Sequence, residues 1–529
     1  MGLKSSLSKP FARAAMVELK MKTAQPGVAQ IKQLNEILKT AEKTKFGKDH
    51  NLREGMSIES FQKNVPVRDY EGLKDYIDRA VEGEENVLWS GLPQYFCKTS
   101  GTTSGTKYIP ITEDSLSNHL VGARNALLGQ ISGSGDASFV SGKMMFLQGS
   151  PELDETEGGT PLGRLSGIVA HHVPGYLKRN RLPSMEVNCI DDWEKKVDAI
   201  VKETANLDLR LISGIPTWVQ MYFEKLLTYT KSETVQDVFP NLSLFVHGGT
   251  SYAPYAERFK QLIGFDIARV ELYAASEGFL AFQDKPGVEG MLLNIADGIF
   301  FEFIPVDKLG EEDTPRLTVD QVELGVNYAV VITSKAGLYG YLIGDTVKFV
   351  SDEPYRIIVT GRTKQFISAF GEHVISEEVE SAIAEVTTNH DAVVRDFHLA
   401  PVIAPKKGEG YHEWLIEFEK KPKSMTNFSS DLCEALQARN SYYKDLVTGG
   451  VIKPASVTAL KKKSFTTAMS SMGKLGGQNK IPRLSNDRKL ADLLTGSASS
   501  EKTSGKATKK APAKKAAAKK PRKKTTKKT

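Results

Sequence analysis

Residues 97–110 read Cys97-Lys98-Thr99-Ser100-Gly101-Thr102-Thr103-Ser104-Gly105-Thr106-Lys107-Tyr108-Ile109-Pro110. Glycines let backbone N–H groups curl around an oxyanion, and hydroxyls add further donors. A lysine just past the second glycine supplies a mobile positive charge. The composition suits a polyphosphate. The pattern is not a Walker A loop, because Thr106 separates Gly105 from Lys107 and only three residues separate Gly101 from Gly105. Tyr95-Phe96-Cys97 reads as a strand end and Tyr108-Ile109-Pro110-Ile111 as a strand start, so the run is expected as a tight turn between strands.

Outward from this turn the chain alternates strands and helices. Residues 11–46, 66–80 and 114–128 carry apolar side chains at helical spacing. Strands are expected at 141–147, 209–212, 242–246 and 268–273, with a helix at 218–227 and another at 254–263 after His247-Gly248-Gly249-Thr250. This is α/β patterning, with loops at strand ends where sites form. Segments 300–305, 321–324 and 327–333 look antiparallel and suggest a barrel-like subdomain. Beyond a boundary between Val347 and Arg362, a turn at 370–372, helices at 376–386 and 431–446 and a strand at 413–419 suggest a compact second unit. The expected division is 1–355, 356–498 and a tail, 499–529.

The net charge of +6 over 529 residues is uneven. Residues 501–529 hold twelve lysines, one arginine and one glutamate, so the other 500 residues carry a net −6. The body is mildly acidic and does not read as a nucleic-acid binder. The tail has no large apolar side chain, is expected to be disordered, and suits non-specific contact with nucleic acid or another polyanion. Cys97, Cys189 and Cys433 are far apart and form no ligand cluster, which indicates a reducing, cytoplasmic setting. No run of about 18 apolar residues is present to span a membrane.

Two further motifs join the first: Tyr273-Ala274-Ala275-Ser276-Glu277 and Tyr341-Leu342-Ile343-Gly344-Asp345, followed near the end by Gly477-Gln478-Asn479-Lys480-Ile481-Pro482-Arg483. In order and spacing the set resembles the adenylate-forming enzymes. Within them it resembles the auxin-responsive acyl acid amido synthetases and their microbial relatives, as a bacterial-type member. The resemblance covers roughly residues 1–490. It implies a large N-terminal domain with α/β sheets and a β-barrel-like part, followed by a small mobile α+β C-terminal domain. It also implies ATP and Mg²⁺ as cofactors, a carboxylic acid and an amine, commonly an amino acid, as substrates, and amide formation through an acyl-AMP.

The implied roles fall on named positions. Ser100, Gly101, Thr102, Thr103, Ser104, Gly105 and Lys107 would hold the β- and γ-phosphates. Ser276 would contact the α-phosphate, Glu277 would help coordinate Mg²⁺, Asp345 would bind the ribose hydroxyls, and Tyr273 would stack on or flank adenine. Arg362 resembles an arginine near the ribose, Lys480 a lysine that reaches the α-phosphate from the moving domain, and Gly248, Gly249 and Thr250 a wall beside the nucleotide. His171, His172, Tyr176 and Arg124 are candidates for the substrate pocket. On local sequence alone, Ser276-Glu277 also suits a helix N-terminus, and Gly344-Asp345 a plain turn. Leu342 stands where the family usually has arginine. Two rival readings are an acyl-coenzyme A synthetase and an inactive protein that binds polyanions through its tail. The joint presence of Lys107, Glu277, Asp345 and Lys480 argues against the second.

Overall fold

The computed structural model describes residues 3–100, 106–173, 175–190, 192–249, 252–311, 314–363, 366–367, 369–370, 372, 374–403, 410–472 and 481–496. The turn 101–105, Thr250, Lys480 and the basic tail therefore lie outside the described residues.

One sheet of 11 strands organises the larger unit. Its parallel half runs through Arg181–Leu182, Lys143–Phe146, Leu209–Ser213, Leu244–Gly248 and Ala268–Ala275. Both faces are covered, which explains why these strands are nearly continuous apolar runs. Phe245 points to one side, among Val197, Trp218, Tyr222, Phe223 and Phe259. Its neighbours Leu244 and Val246 point to the other, against Ala126 and Ile131 of the helix Glu113–Ser134. That helix starts firmly because Thr112 and Ser115 cap each other.

The strand Ala268–Ala275 is the seam of the sheet. It pairs parallel with Leu244–Gly248 and antiparallel with Gly278–Phe282. From there the sheet continues antiparallel through Met291–Leu293, Tyr355–Arg362, Leu338–Asp352, Asn327–Ser334 and Ile299–Pro305. The strands expected to form a barrel-like subdomain are thus one wing of this sheet. Residues 321–324 are not a strand. A 3₁₀ turn, Val319–Gln321, is capped by Thr318, and Leu324 makes a single bridge to Phe349. The wing is tied to the chain's second helix, Pro26–Ala41, by buried Gln30. Its amide donates to the carbonyls of Ile295 at 2.7 Å and Ile299 at 2.9 Å, and its oxygen accepts from the Phe301 N–H at 2.7 Å.

A separate four-stranded sheet contains the hairpin Tyr95–Ser100 and Thr106–Ile111. The smaller C-terminal unit is α+β. Strands Val393–Val402, Tyr411–Lys420 and Ser456–Leu460 pack Phe397, Trp414, Ile416 and Phe418 against the helices Ser376–Asn389 and Met425–Arg439. Tyr355–Arg362 is paired on both sides within the large sheet. The single helix expected at 431–446 is two, Met425–Arg439 and Ser441–Thr448, broken where the Asn440 side chain accepts from the Tyr443 N–H at 2.8 Å.

Candidate active site

The motifs converge at the end of the seam strand. Ser276 and Glu277 form a two-residue turn of the hairpin that pairs Ala275 with Gly278, so they cap a strand and do not open a helix. The Cys97 thiol, on the glycine-rich hairpin, donates to Ser276 Oγ at 3.2 Å. Burial pushes that thiol up to about 11, so it stays protonated and serves as a donor. Lys107 stands opposite Thr99 on the same hairpin. Its Nζ lies 5.3 Å from the Tyr70 ring centroid, and the Tyr70 hydroxyl accepts from the Tyr108 N–H at 3.0 Å. Tyr70 opens a helix capped by Asp69 and thereby braces the strand that carries Lys107.

Asp345 lies across from Arg362 on adjacent strands, and the Arg362 Nε–H donates to its Oδ1 at 2.7 Å. The Tyr273 hydroxyl donates to Oδ2 at 2.9 Å. Tyr273 is buried in the main core with its hydroxyl on Asp345, so it orients that carboxylate. Gly344, at φ +90°, turns the backbone just before Asp345, a conformation that a side chain would strain. Glu277 accepts from the Tyr341 hydroxyl at 3.4 Å. Burial raises its pKa above the ordinary carboxylate value, and the charge of Asp345 adds to the rise. Its own backbone N–H, Arg362 and Lys107 pull the other way. Two carboxylates, one lysine and one arginine thus share one field.

The remaining candidates divide. Gly248 ends its strand where a Cβ would come 2.4 Å from the Leu272 carbonyl oxygen, so only glycine fits. His172 Nε2 lies 3.0 Å from the Tyr95 hydroxyl, beside the hairpin, and exposed His171 lies 2.8 Å from the Pro151 carbonyl oxygen. Tyr176 is on the short helix Gly175–Lys178. Arg124 is not brought to the cluster. It is exposed on the helix Glu113–Ser134, donates to Asn125 at 3.2 Å, and lines a shallow depression with Glu18, Lys22 and Asp297.

Four residues escaped the sequence reading. Tyr70 is legible only as part of the apolar face of the helix at 66–80, and Tyr341 only as the first residue of a motif, with no role of its own. Arg164, just before the helix Leu165–His171, lays its stem over Gly149 close enough to Cys97 to lower its thiol pKa. Arg483 was visible only as the end of a motif. It is buried between the two units, 3.2 Å from Asp396 and 3.7 Å from Glu380, with its other nitrogen on the hydroxyl of Tyr255 in the larger unit. Burial acts to lower its pKa, but the Tyr255 oxygen and the two carboxylates prevail and raise it. Arg395 adds a second tie between the units, to Glu224 at 3.0 Å.

Three models of one family match in order: the GH3 family N-terminal domain over residues 15–180, the central domain over 292–362 and the C-terminal domain over 377–489. Indole-3-acetic acid-amido synthetase GH3.3 of Arabidopsis thaliana is 21% identical over 88% of this chain and 90% of its own length. Jasmonoyl–L-amino acid synthetase JAR4 of Nicotiana attenuata is 22% identical over 63% of this chain and 68% of its own. The solved structure of the GH3.15 acyl acid amido synthetase with 2,4-DB superimposes with a TM-score of 0.76 at 17% identity, covering 92% of this chain and 96% of that one. A 2-hydroxyisobutyryl-CoA ligase in its postadenylation state reaches 0.57 at 15% identity, over 89% and 92%. The curated relatives are plant enzymes, which corrects the expected bacterial-type membership to the plant-type auxin and jasmonate amido synthetases.

Proposed function

The chain belongs to the GH3 family, and on that premise we propose how its seam cluster performs the family's reaction. The protein is an ATP-dependent acyl acid amido synthetase, an acid–amino acid ligase. A substrate carboxylate oxygen attacks the α-phosphorus of ATP and pyrophosphate leaves. An amine nitrogen then attacks the acyl carbon, AMP leaves, and an amide forms with loss of the amine proton.

Two anions must meet in the first step, so the residues around them must offset repulsion. Lys107 supplies positive charge to the departing phosphates, with the donors of 100–105 beside it. Ser276 donates to the α-phosphate, its own oxygen held by the Cys97 thiol. Asp345, fixed by Arg362 and Tyr273, accepts from the ribose hydroxyls. Gly248, Gly249 and Thr250 form the wall beside the nucleotide, and Lys480 reaches the α-phosphate from the smaller unit. His172, His171 and Tyr176 border the acyl or amine pocket. Arg164 carries a charge beside the same hairpin strand and suits the carboxylate of an amino-acid acceptor.

Mg²⁺ fits the donor set. Among the described residues no cluster of three or more His, Cys, Asp or Glu forms a cage, and Mg²⁺ is commonly held by one or two carboxylates with phosphates and water. Glu277 is the carboxylate that would hold it, and the ion would neutralise phosphate charge. Cys97, Cys189 and Cys433 are free thiols, which supports a reducing, cytoplasmic setting. The basic tail serves as a polyanion tether.

The convergence of Lys107, Ser276, Glu277 and the Asp345–Arg362 pair on one seam carries this reading. The test is pyrophosphate release with ATP and Mg²⁺ over a panel of carboxylic acids, with and without an amino-acid mixture. The panel begins with indole-3-acetic and jasmonic acids, named by the relatives. Release that depends on the acid, with a conjugate only when amino acids are present, supports the reading. Persistent thioester formation with coenzyme A and no conjugate would replace it with the ligase alternative.

A further inference from the structure

The N-terminal helix Leu3–Lys22 has two apolar faces. One carries Ser5, Ala12, Met16 and Leu19 and packs on the helix Glu113–Ser134. The other is bare: Leu7, Phe11, Val17 and Met21 are 63, 57, 58 and 68% exposed. The next helix, Pro26–Ala41, leaves Val28 and Ile31 exposed as well. A single exposed apolar residue needs no explanation, but four on one helix face do.

The charges around this stripe are of one sign. At 100° per residue, Arg13 and Lys20 lie along one edge and Lys22 along the other. All three are exposed. The one acid on this face, Glu18, pairs with Lys22 at 2.7 Å, and Arg13 and Lys20 remain as the excess of positive charge. An apolar stripe between basic edges is the pattern of a helix that lies in an anionic lipid interface, with its apolar side chains among acyl chains and its cations on headgroups. Among the described residues no helix is long and apolar enough to cross a membrane, so the contact is peripheral. The tail of twelve lysines is attracted to the same kind of surface through charge alone. Two weak attachments of this kind add up to stable binding where one does not.

We propose that the outer face of the helix Leu3–Lys22 docks the enzyme on an anionic lipid surface, with the lysine-rich tail as a second, purely electrostatic contact. Nucleic acid explains the tail but has no use for the apolar stripe. A second copy of the chain would use the stripe but would meet the same basic edges, like against like.

The experiment is flotation of the full chain with phosphatidylcholine vesicles, with and without 30% phosphatidylserine, at about 0.1 M salt. An excess of duplex DNA is present in parallel samples to occupy the tail. The wild type is expected to float with anionic vesicles at least tenfold more than with neutral ones, and to keep part of that binding when DNA is present. A triple variant, Phe11→Ser, Val17→Ser and Met21→Ser, is expected to lose at least tenfold of the DNA-resistant binding. Its pyrophosphate release should be unchanged, which shows that it is folded. Wild-type protein that does not float, vesicle binding that DNA abolishes, or a triple variant that binds like the wild type would each overturn the proposal. So would a wild-type dimer on gel filtration that the triple variant converts to monomer.

Discussion

Two charge clusters, one at the seam of the large sheet and one between the two units, are built to opposite ends. At the seam, Lys107, Glu277, Asp345 and Arg362 share one field, in which Asp345 and Arg362 form a direct ion pair at 2.7 Å. Glu277 is pushed toward its neutral form by burial and by Asp345, and Arg362 is half exposed. Between the two units, Arg483 is buried with Asp396, Glu380 and Tyr255 arranged around it. The first cluster keeps a carboxylate raised toward its neutral form beside a half-exposed arginine. The second is a buried cation set between two carboxylates and a hydroxyl. A perturbed carboxylate at a partly open site indicates a ligand, whereas a buried cation shared by two units indicates an interface.

The contrast makes the interface the more fragile to single substitution. Arg483→Ala leaves Asp396 buried without its cation, and the loss is expected to be about 3–5 kcal/mol of stability, read from denaturant midpoints. The double variant Arg483→Ala/Asp396→Asn should recover part of that loss. Equal midpoints for the single variant and wild type would show that the units are not held there. Lys107→Ala is expected to lower acid-dependent pyrophosphate release by about 10²–10³-fold, the size found for one preorganised transition-state donor, with an unchanged denaturant midpoint. Asp345→Asn keeps the shape but removes the charge that orders Arg362. It should raise the KM for ATP by about tenfold, the worth of one charge-assisted hydrogen bond, with a smaller change in kcat.

Glu277 tests the comparison through pH. A carboxylate whose folded pKa is raised gives stability that is fully present below its unfolded value and is lost as pH rises through its folded value. Glu277→Gln should therefore be more stable than wild type near pH 7 and show no gain near pH 4, measured by thermal melts at both. Activity runs the other way, because cation binding needs the ionised form. Wild-type pyrophosphate release should fall with decreasing pH while still above the ordinary carboxylate range. Arg124→Ala marks the lower bound: it faces the N-terminal helix, and its pyrophosphate release should stay within about twofold of wild type, as for surface substitutions away from a site.

The sequence carried much of this arrangement and missed the rest for identifiable reasons. Strand and helix periods locate the alternating half of the sheet, and the first two motifs lie where strands end, as α/β topology favours, whereas Tyr341 to Asp345 lies inside the strand Leu338–Asp352. Local pattern could not show that Ile299–Pro305 and its neighbours extend that sheet, since antiparallel alternation looks the same in a wing and in a barrel. Arg124 is on the helix after the glycine run, but a helix turns 100° per residue and carries this side chain to the side of Glu18 and Lys22. The Ser276-Glu277 pair suits a helix start or a hairpin turn equally, and the partner strand decided between them. Tyr273 shows the same limit: its position in the motif was visible, but the hydroxyl's commitment to Asp345 arises from a contact 72 residues away. Arg164 gives no signal in the sequence, and Arg483 gives only its place at the end of a motif, because their importance comes from neighbours that only folding supplies.

The central claim is that the seam cluster adenylates a carboxylic acid. Acid-dependent exchange of labelled pyrophosphate into ATP isolates that step from amide formation. It should be measured on wild type, Lys107→Ala and Arg124→Ala with the best acid of the panel. Exchange by wild type and Arg124→Ala, lost by about 10²-fold or more in Lys107→Ala, is the result the account predicts. Equal exchange by all three would contradict it and move the chemistry away from the seam.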